Sequence, residues 1–235
     1  MVVAPDRPFD CGLKRLGHYL CLCRVALLSA LVSAGVGNAS LWLAGLLPLD
    51  ALAHNFLKWW QGDVLGIILV TPLILVWRRL PEDWFSQRRS LETLSCFALA
   101  LLVGQVVFMG WFHDSVGSFG RPYVMFVFVA WAAVSFGVHG ASLLIGVVAL
   151  QALVGSLLGK GDFAAHFAQA DLTGFWIYML VLSVVGMALA VLIAERMQVE
   201  QSLSTANDNL AGREALLQQI QDTAKRIKRL GESSQ

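Results

Sequence analysis

Apolar residues along this chain come in long blocks, not in the short alternations of a soluble domain. The blocks fall at roughly 25–47, 59–77, 92–112, 122–136, 141–158 and 173–194. A helix needs about 20 apolar residues to cross a bilayer, so the pattern predicts an all-α polytopic bundle of about six spans. Polar punctuation marks the boundaries. Pro48-Leu49-Asp50 ends the first block, and residues 51–58 read as an amphipathic segment lying at the interface. Pro122 is a natural first-turn residue, and Gly137-Val138-His139-Gly140 predicts a tight turn between the fourth and fifth spans. Pro72 inside the second span predicts a bend, with the Ile68 carbonyl left without its helical partner. In the first span Ser29, Ser33 and Gly37 recur every four residues. Such a stripe of small residues predicts a close-packing face.

The pattern changes after Ala194. Val199, Leu203, Ala206, Leu210, Leu217, Ile220, Ala224 and Ile227 alternate spacings of four and three, with Arg213 at the one polar gap. This heptad repeat predicts a cytoplasmic coiled-coil helix running on from the last span, and with it a homodimer. Gly212 and Asn207-Asp208-Asn209 weaken the helix. The expected division is a cytoplasmic segment over 1–24, a transmembrane domain over 25–194 and a signalling helix over 195–235. Glu195, Arg196, Val199, Leu203, Leu210, Leu217, Ile220 and Ile227 would carry transmission.

Composition agrees with a lipid-embedded chain. The chain is 57% hydrophobic and 14% charged, against about a quarter charged for a soluble domain. The net charge of +1 gives no reason to expect nucleic acid as a partner; the expected partner is the lipid bilayer. Arg78, Arg79, Arg88 and Arg89 crowd one short loop, which the positive-inside rule assigns to the cytoplasm. With six spans, both termini are then cytoplasmic. The first twenty residues hold Arg7, Asp10, Lys14 and Arg15 without an apolar core, unlike a cleavable signal peptide.

Candidate chemistry is sparse. Cys21 and Cys23 are too close for a usual metal pair, and the five histidines show no metal spacing with one another. No cofactor, metal or catalytic set is expected, and the chain reads as a non-enzyme. The sharpest residue is Asp63, an acid inside an apolar span, about one turn from the Trp59-Trp60 pair. Intramembrane acids are costly and mark function by default. Either Asp63 meets a cation, polar ligand or partner helix, or it is a structural acid bonded to Asn38, Gln61 or main chain. Gly62 and Gly66 offer a close-approach face beside it. Gln105 and Gln151 are mid-membrane amides suited to bonding across helices, and Trp59, Trp60, Trp77 and Trp111 suit an interface belt.

The stretch Trp60-Gln61-Gly62-Asp63-Val64-Leu65-Gly66, followed by Val70-Thr71-Pro72-Leu73 and Trp77-Arg78-Arg79, resembles the first family of membrane-associated sensor (MASE) domains. The resemblance continues through Arg121-Pro122-Tyr123, Trp131-Ala132-Ala133-Val134-Ser135-Phe136-Gly137 and Ala194-Glu195-Arg196, covering roughly residues 20–196. It implies a multi-pass sensor in a bacterial inner membrane, feeding a diguanylate cyclase (cyclic-di-GMP) or a histidine kinase (two-component signalling). Members of that family usually carry further spans before the one numbered first here, so the chain resembles the second half of the sensor domain plus its signalling helix. The 235 residues contain no Gly-Gly-Asp-Glu-Phe run and no phospho-accepting histidine segment. The implied output is a separate cytoplasmic domain or a partner membrane protein. A small transporter or channel subunit using Asp63 and the glutamines as a polar path is the alternative, with a membrane scaffold beside it.

Overall fold

The structure is a computed structural model of the chain, and it describes residues 13, 15–80, 87–111, 121–161, 163 and 173–232. Side chains at 87–89 and 220–232 are not described. Cys11, Glu82, Asp83, His113, Asp114, Asp162, His166 and Asp171 lie outside the described residues, as do the side chains of Arg88, Arg89, Ile220 and Ile227. The described residues are helical apart from turns and short links, without strands. The helices are α1 (Leu16–Leu43), α2 (Leu52–Trp77), α3 (Gln87–Met109), α4 (Met125–Leu157) and α5 (Thr173–Glu232).

Among the described residues five helices are long and apolar enough to cross a membrane, not six. The difference lies in α4. The fourth and fifth expected spans form one helical segment, and the expected four-residue turn shrinks to Gly137, at φ 61 and ψ −148. Only glycine enters that region without a Cβ penalty. The chain folds back there. Val129 and Ile145, sixteen residues apart in sequence, both crowd the same point beside Gly186 of α5. Val138, His139 and Gly140 already belong to the second arm's helix.

Other boundaries move for a common reason: helical hydrogen bonding continues past the apolar block that betrays it. α1 starts at Leu16, ahead of Arg24. Residues 52–58 are the first two turns of α2, not a separate interfacial piece. Helix α2 also runs through Pro72, which is buried.

The chain divides into two units, Met1–Ala194 and Glu195–Gln235. In the first, the main core gathers α2, α3, α4 and the early part of α5, with Tyr19 of α1. A smaller cluster of Ala26, Ala30, Val64 and Ile68 joins α1 and α2, with Trp176, Leu180 and Val184 of α5 against it. The packing face of α1 is therefore Ala26, Ala30, Ala34 and Asn38, not the serine stripe; Ser29 and Ser33 are exposed. Alanine and serine are equally small, and the alanine row sheds no hydroxyl into a dry contact. Between α3 and α4 the backbones almost touch: a Cβ on Gly155 would collide with the Phe108 carbonyl, and one on Gly104 with the Gln151 amide. In the second unit, residues 196–219 are exposed throughout, including Val199, Leu203, Leu210 and Leu217. Gly212 and Asn207–Asn209 do not interrupt the helix.

Substituting Gly137→Ala is expected to cost about 1–3 kcal/mol, since alanine must hold a glycine-only conformation. Gly146→Ala in the same helix should change stability by less than about 1 kcal/mol, because its Cβ meets Leu73 at an ordinary 3.6 Å. Reversible unfolding in mixed micelles compares the two.

Candidate functional site

The site grows from the crossing of α1 and α2. Its edge is fixed by Asn38, whose Nδ2 donates to the Ala34 carbonyl (2.8 Å) while its Oδ1 accepts from Asn55 Nδ2 (2.9 Å). The first bond lies within α1 and the second crosses to α2, and neither partner is Asp63. Ser40, also in the last turns of α1, donates back to Val36 (2.8 Å). The Trp59 ring lies over Gly37, where a Cβ would come within 2.5 Å of it. This ring serves as packing at the helix crossing, although it stays partly exposed.

Asp63 lies close to the middle of α2, because that helix begins at Leu52. Across from it are Ser29 and Ser33, themselves near the middle of α1. Asp63, Ser29, Ser33, Gly62, Gly66 and Ile67 line a shallow groove of about 420 Å³ on the outside of the bundle. The glycines and serines are exposed and Asp63 is half-buried. Among the described residues the Asp63 carboxylate has neither a hydrogen bond nor an ion pair. The groove is thus a strip of small residues with one acid on its wall, open to whatever lies beside the bundle.

Behind the groove, α2 is clamped to α5. Trp176 Nε1 donates to the Gln61 carbonyl at 2.9 Å, and Trp60 Nε1 donates to the Leu27 carbonyl of α1 at 3.1 Å. The two indoles pack with centroids 5.9 Å apart. Trp60 therefore links all three helices one turn from Asp63. At the other end of α2, Trp77 Nε1 donates to Ser142 Oγ (3.3 Å) and its ring meets His139 edge-on (5.8 Å). His139 Nε2 is in turn 2.8 Å from the Arg79 carbonyl. Trp77 is a half-buried clamp onto α4 instead of a freely facing belt residue.

The mid-membrane amides are not part of this groove. Gln151 lies between α4 and α3, where Nε2 donates to the Leu101 carbonyl at 3.0 Å and Oε1 is buried without a partner. Gln105 of α3 is half-buried. The fold brings Asp63, Gly62 and Gly66 together with Ser29 and Ser33, and leaves Asn38, Gln105 and Gln151 elsewhere. No group of three or more His, Cys, Asp or Glu able to hold a metal occurs among the described residues.

Sequence reasoning missed Trp176. Its signal was available as an aromatic near the start of the last apolar block, but only α2's position shows that its indole closes on Gln61. The two serines were noticed for the wrong face.

An acid with no partner among the described residues contributes little to folding. Asp63→Asn is expected to leave unfolding stability unchanged or slightly higher, because it removes a mid-span charge that is costly beside hydrocarbon. A loss above about 2 kcal/mol in thermal or denaturant unfolding would make Asp63 a structural acid after all. Trp176→Phe, which removes the donor to Gln61, should cost about 1 kcal/mol in the same assay.

A family model, MASE1, matches residues 12–197 of the chain. No curated protein and no solved structure matches it.

Proposed function

The chain belongs to the MASE1 family of membrane-associated sensor domains, and from that premise we propose that it takes its input at the Asp63 groove and passes it out through α5. The observation that carries this reading is Asp63 itself. An ionisable side chain at mid-helix normally faces the bundle interior, a water-filled cavity or a partner. Here it lies in an outward groove of small residues, and the described residues supply it no partner. Grooves of glycine and serine let another helix come close enough for van der Waals contact and hydrogen bonding. The expected occupant is a span of a neighbouring membrane protein carrying a donor or cation at this depth.

The route onward is short. A helix seated in the groove bears on α2 where Trp60 packs on Trp176 and where Gln61 accepts the Trp176 N–H. Any shift of α2 there acts on the first turns of α5. Helix α5 spans Thr173–Glu232 and so includes Glu195 and Arg196. With both termini and the basic Arg78–Arg89 loop assigned to the cytoplasmic side of the membrane, a parallel coil over Val199, Leu203, Leu210, Leu217, Ile220 and Ile227 would pair two copies. The bare apolar seam at positions 199–217 suits such pairing. The topology proposed is six passes, counting the two arms of α4 separately, in a bacterial inner membrane. The output is a diguanylate cyclase or a histidine kinase, outside these 235 residues or on a separate protein. The polar-path alternative gains nothing from the geometry, because the glutamines and Asp63 lie in different helix contacts.

The test fuses the whole chain to a reporter cyclase and varies the helix register. Deleting seven residues within 197–210 removes two turns and should keep signalling. Deleting three or four shifts the seam and should invert or lock the output. Indifference to all three deletions would sink the rigid-helix mechanism. Asp63→Asn should change the response of the intact fusion while leaving its abundance in the membrane unaltered.

A further inference from the structure

Midway along the apolar part of α5 lies a polar group that its neighbours do not meet. Ser183 is fully buried, and its Oγ has no hydrogen-bond partner among the described residues. Leaving a buried hydroxyl unmet is costly. A donor stands close by. The Tyr19 hydroxyl of α1, also fully buried, reaches Ser183 but donates to its main-chain carbonyl, at 3.3 Å. That is long for an O–H donor, whose bonds centre at about 2.7–2.8 Å. A little over one turn earlier in α5, the Tyr178 hydroxyl donates to the Pro122 carbonyl just ahead of α4, at 2.9 Å. Near these bonds α5 meets α1 through apolar side chains, with Trp176, Leu180 and Val184 against the cluster that holds Ala26 and Ala30. In lipid such contacts do not by themselves fix one helix along another.

A helix carbonyl points toward the C-terminus of its helix, and a Cβ is tilted toward the N-terminus. The two acceptors of Ser183 are therefore staggered along α5, with Oγ nearer the start of the helix. We infer that α5 has a second seat against α1, slid toward its own C-terminus, in which the Tyr19 hydroxyl donates to the Ser183 Oγ. The slide is on the order of 1–2 Å, the usual scale of helix shifts between discrete packings. Each seat leaves one polar group worse placed. In the first, the Tyr178 bond is short and the Ser183 Oγ is unmet. In the second, the Oγ is met and the Tyr178 bond is stretched, because Pro122 stays with α4. Two seats with offsetting defects make a bistable element, which a small force along α5 can tip. The slide carries along the whole of a helix that runs on to Glu232. The two seats stand on their own; only their use in signalling rests on the proposed transmission through Gln61 and Trp176.

The experiment uses the full chain in lipid nanodiscs, with 3-fluorotyrosine in place of tyrosine, and reads it by fluorine NMR. The chain has three tyrosines, Tyr19, Tyr123 and Tyr178, so the spectrum is assigned by replacing each with phenylalanine in turn. Tyr19 and Tyr178 should each give two lines in the same ratio, while Tyr123, which is exposed and off α5, gives one. Ser183→Ala removes the second acceptor and should reduce the second line of both at least tenfold. Tyr178→Phe cuts the tie to Pro122 and should raise the second-line share of Tyr19 at least twofold. An unmoved Tyr123 line in each variant checks that the fold is kept. A split Tyr19 line beside a single Tyr178 line would mean that only the Ser183 side chain turns, and would overturn the slide. So would second lines that persist in Ser183→Ala, or a single Tyr19 line in both the unaltered chain and Tyr178→Phe. The readout needs no output domain, so a silent reporter fusion leaves this result untouched.

Discussion

A side-chain donor reaching a main-chain carbonyl of a neighbouring segment is the recurring bond of this bundle. Trp60 reaches Leu27, Trp176 reaches Gln61, Gln151 reaches Leu101, Tyr178 reaches Pro122 and Tyr19 reaches Ser183. In hydrocarbon no water competes for such donors, and an unmet N–H or O–H is costly. Apolar contact cannot discriminate one helix pairing from another when lipid is as apolar as leucine. The carbonyl bonds can, because each fixes one residue of one helix against one residue of another. They require close backbones, which explains why Gly104 and Gly155 lie where α3 and α4 meet, and why alanines face α2 from α1.

Asp63 departs from that rule. Every other polar side chain just named donates a hydrogen bond inside the bundle. Asp63 sits at mid-helix in a groove of small residues and spends none there among the described residues. A structural acid would have been given a partner, as Asn38 was given Asn55. The contrast between these two residues, on adjoining helices, is the physical basis for reading the groove as a receiving surface. Trp60 and Trp176 then give that surface a mechanical neighbour in α5.

Much of the fold was legible in advance because hydropathy adds up along a chain. The apolar blocks located the five membrane-length helices of the described residues, and the α2 signature with Arg121-Pro122-Tyr123 and Ala194-Glu195-Arg196 marked the sensor family over nearly the residues the family model matches. Boundaries were less legible. Polar residues at Leu16–Arg24 and Leu52–Lys58 hide helix that hydrogen bonding carries on regardless. Gly137 was marked as part of a turn, but nothing local says that one residue suffices to reverse the chain.

The sequence by itself determined what kind of solvent this protein needs, how many apolar stretches it offers, and that an acid lies within one of them. Tertiary structure alone decided which way each helix faces. Ser29-Ser33 and Ala26-Ala30-Ala34 are both small-residue stripes one turn apart, so spacing cannot choose between them. The choice follows from burying methyls and leaving hydroxyls outside. It turned the serines toward Asp63, moved Asn38 away from it, and brought Trp176 onto Gln61, contacts between residues far apart in the chain that no periodicity encodes.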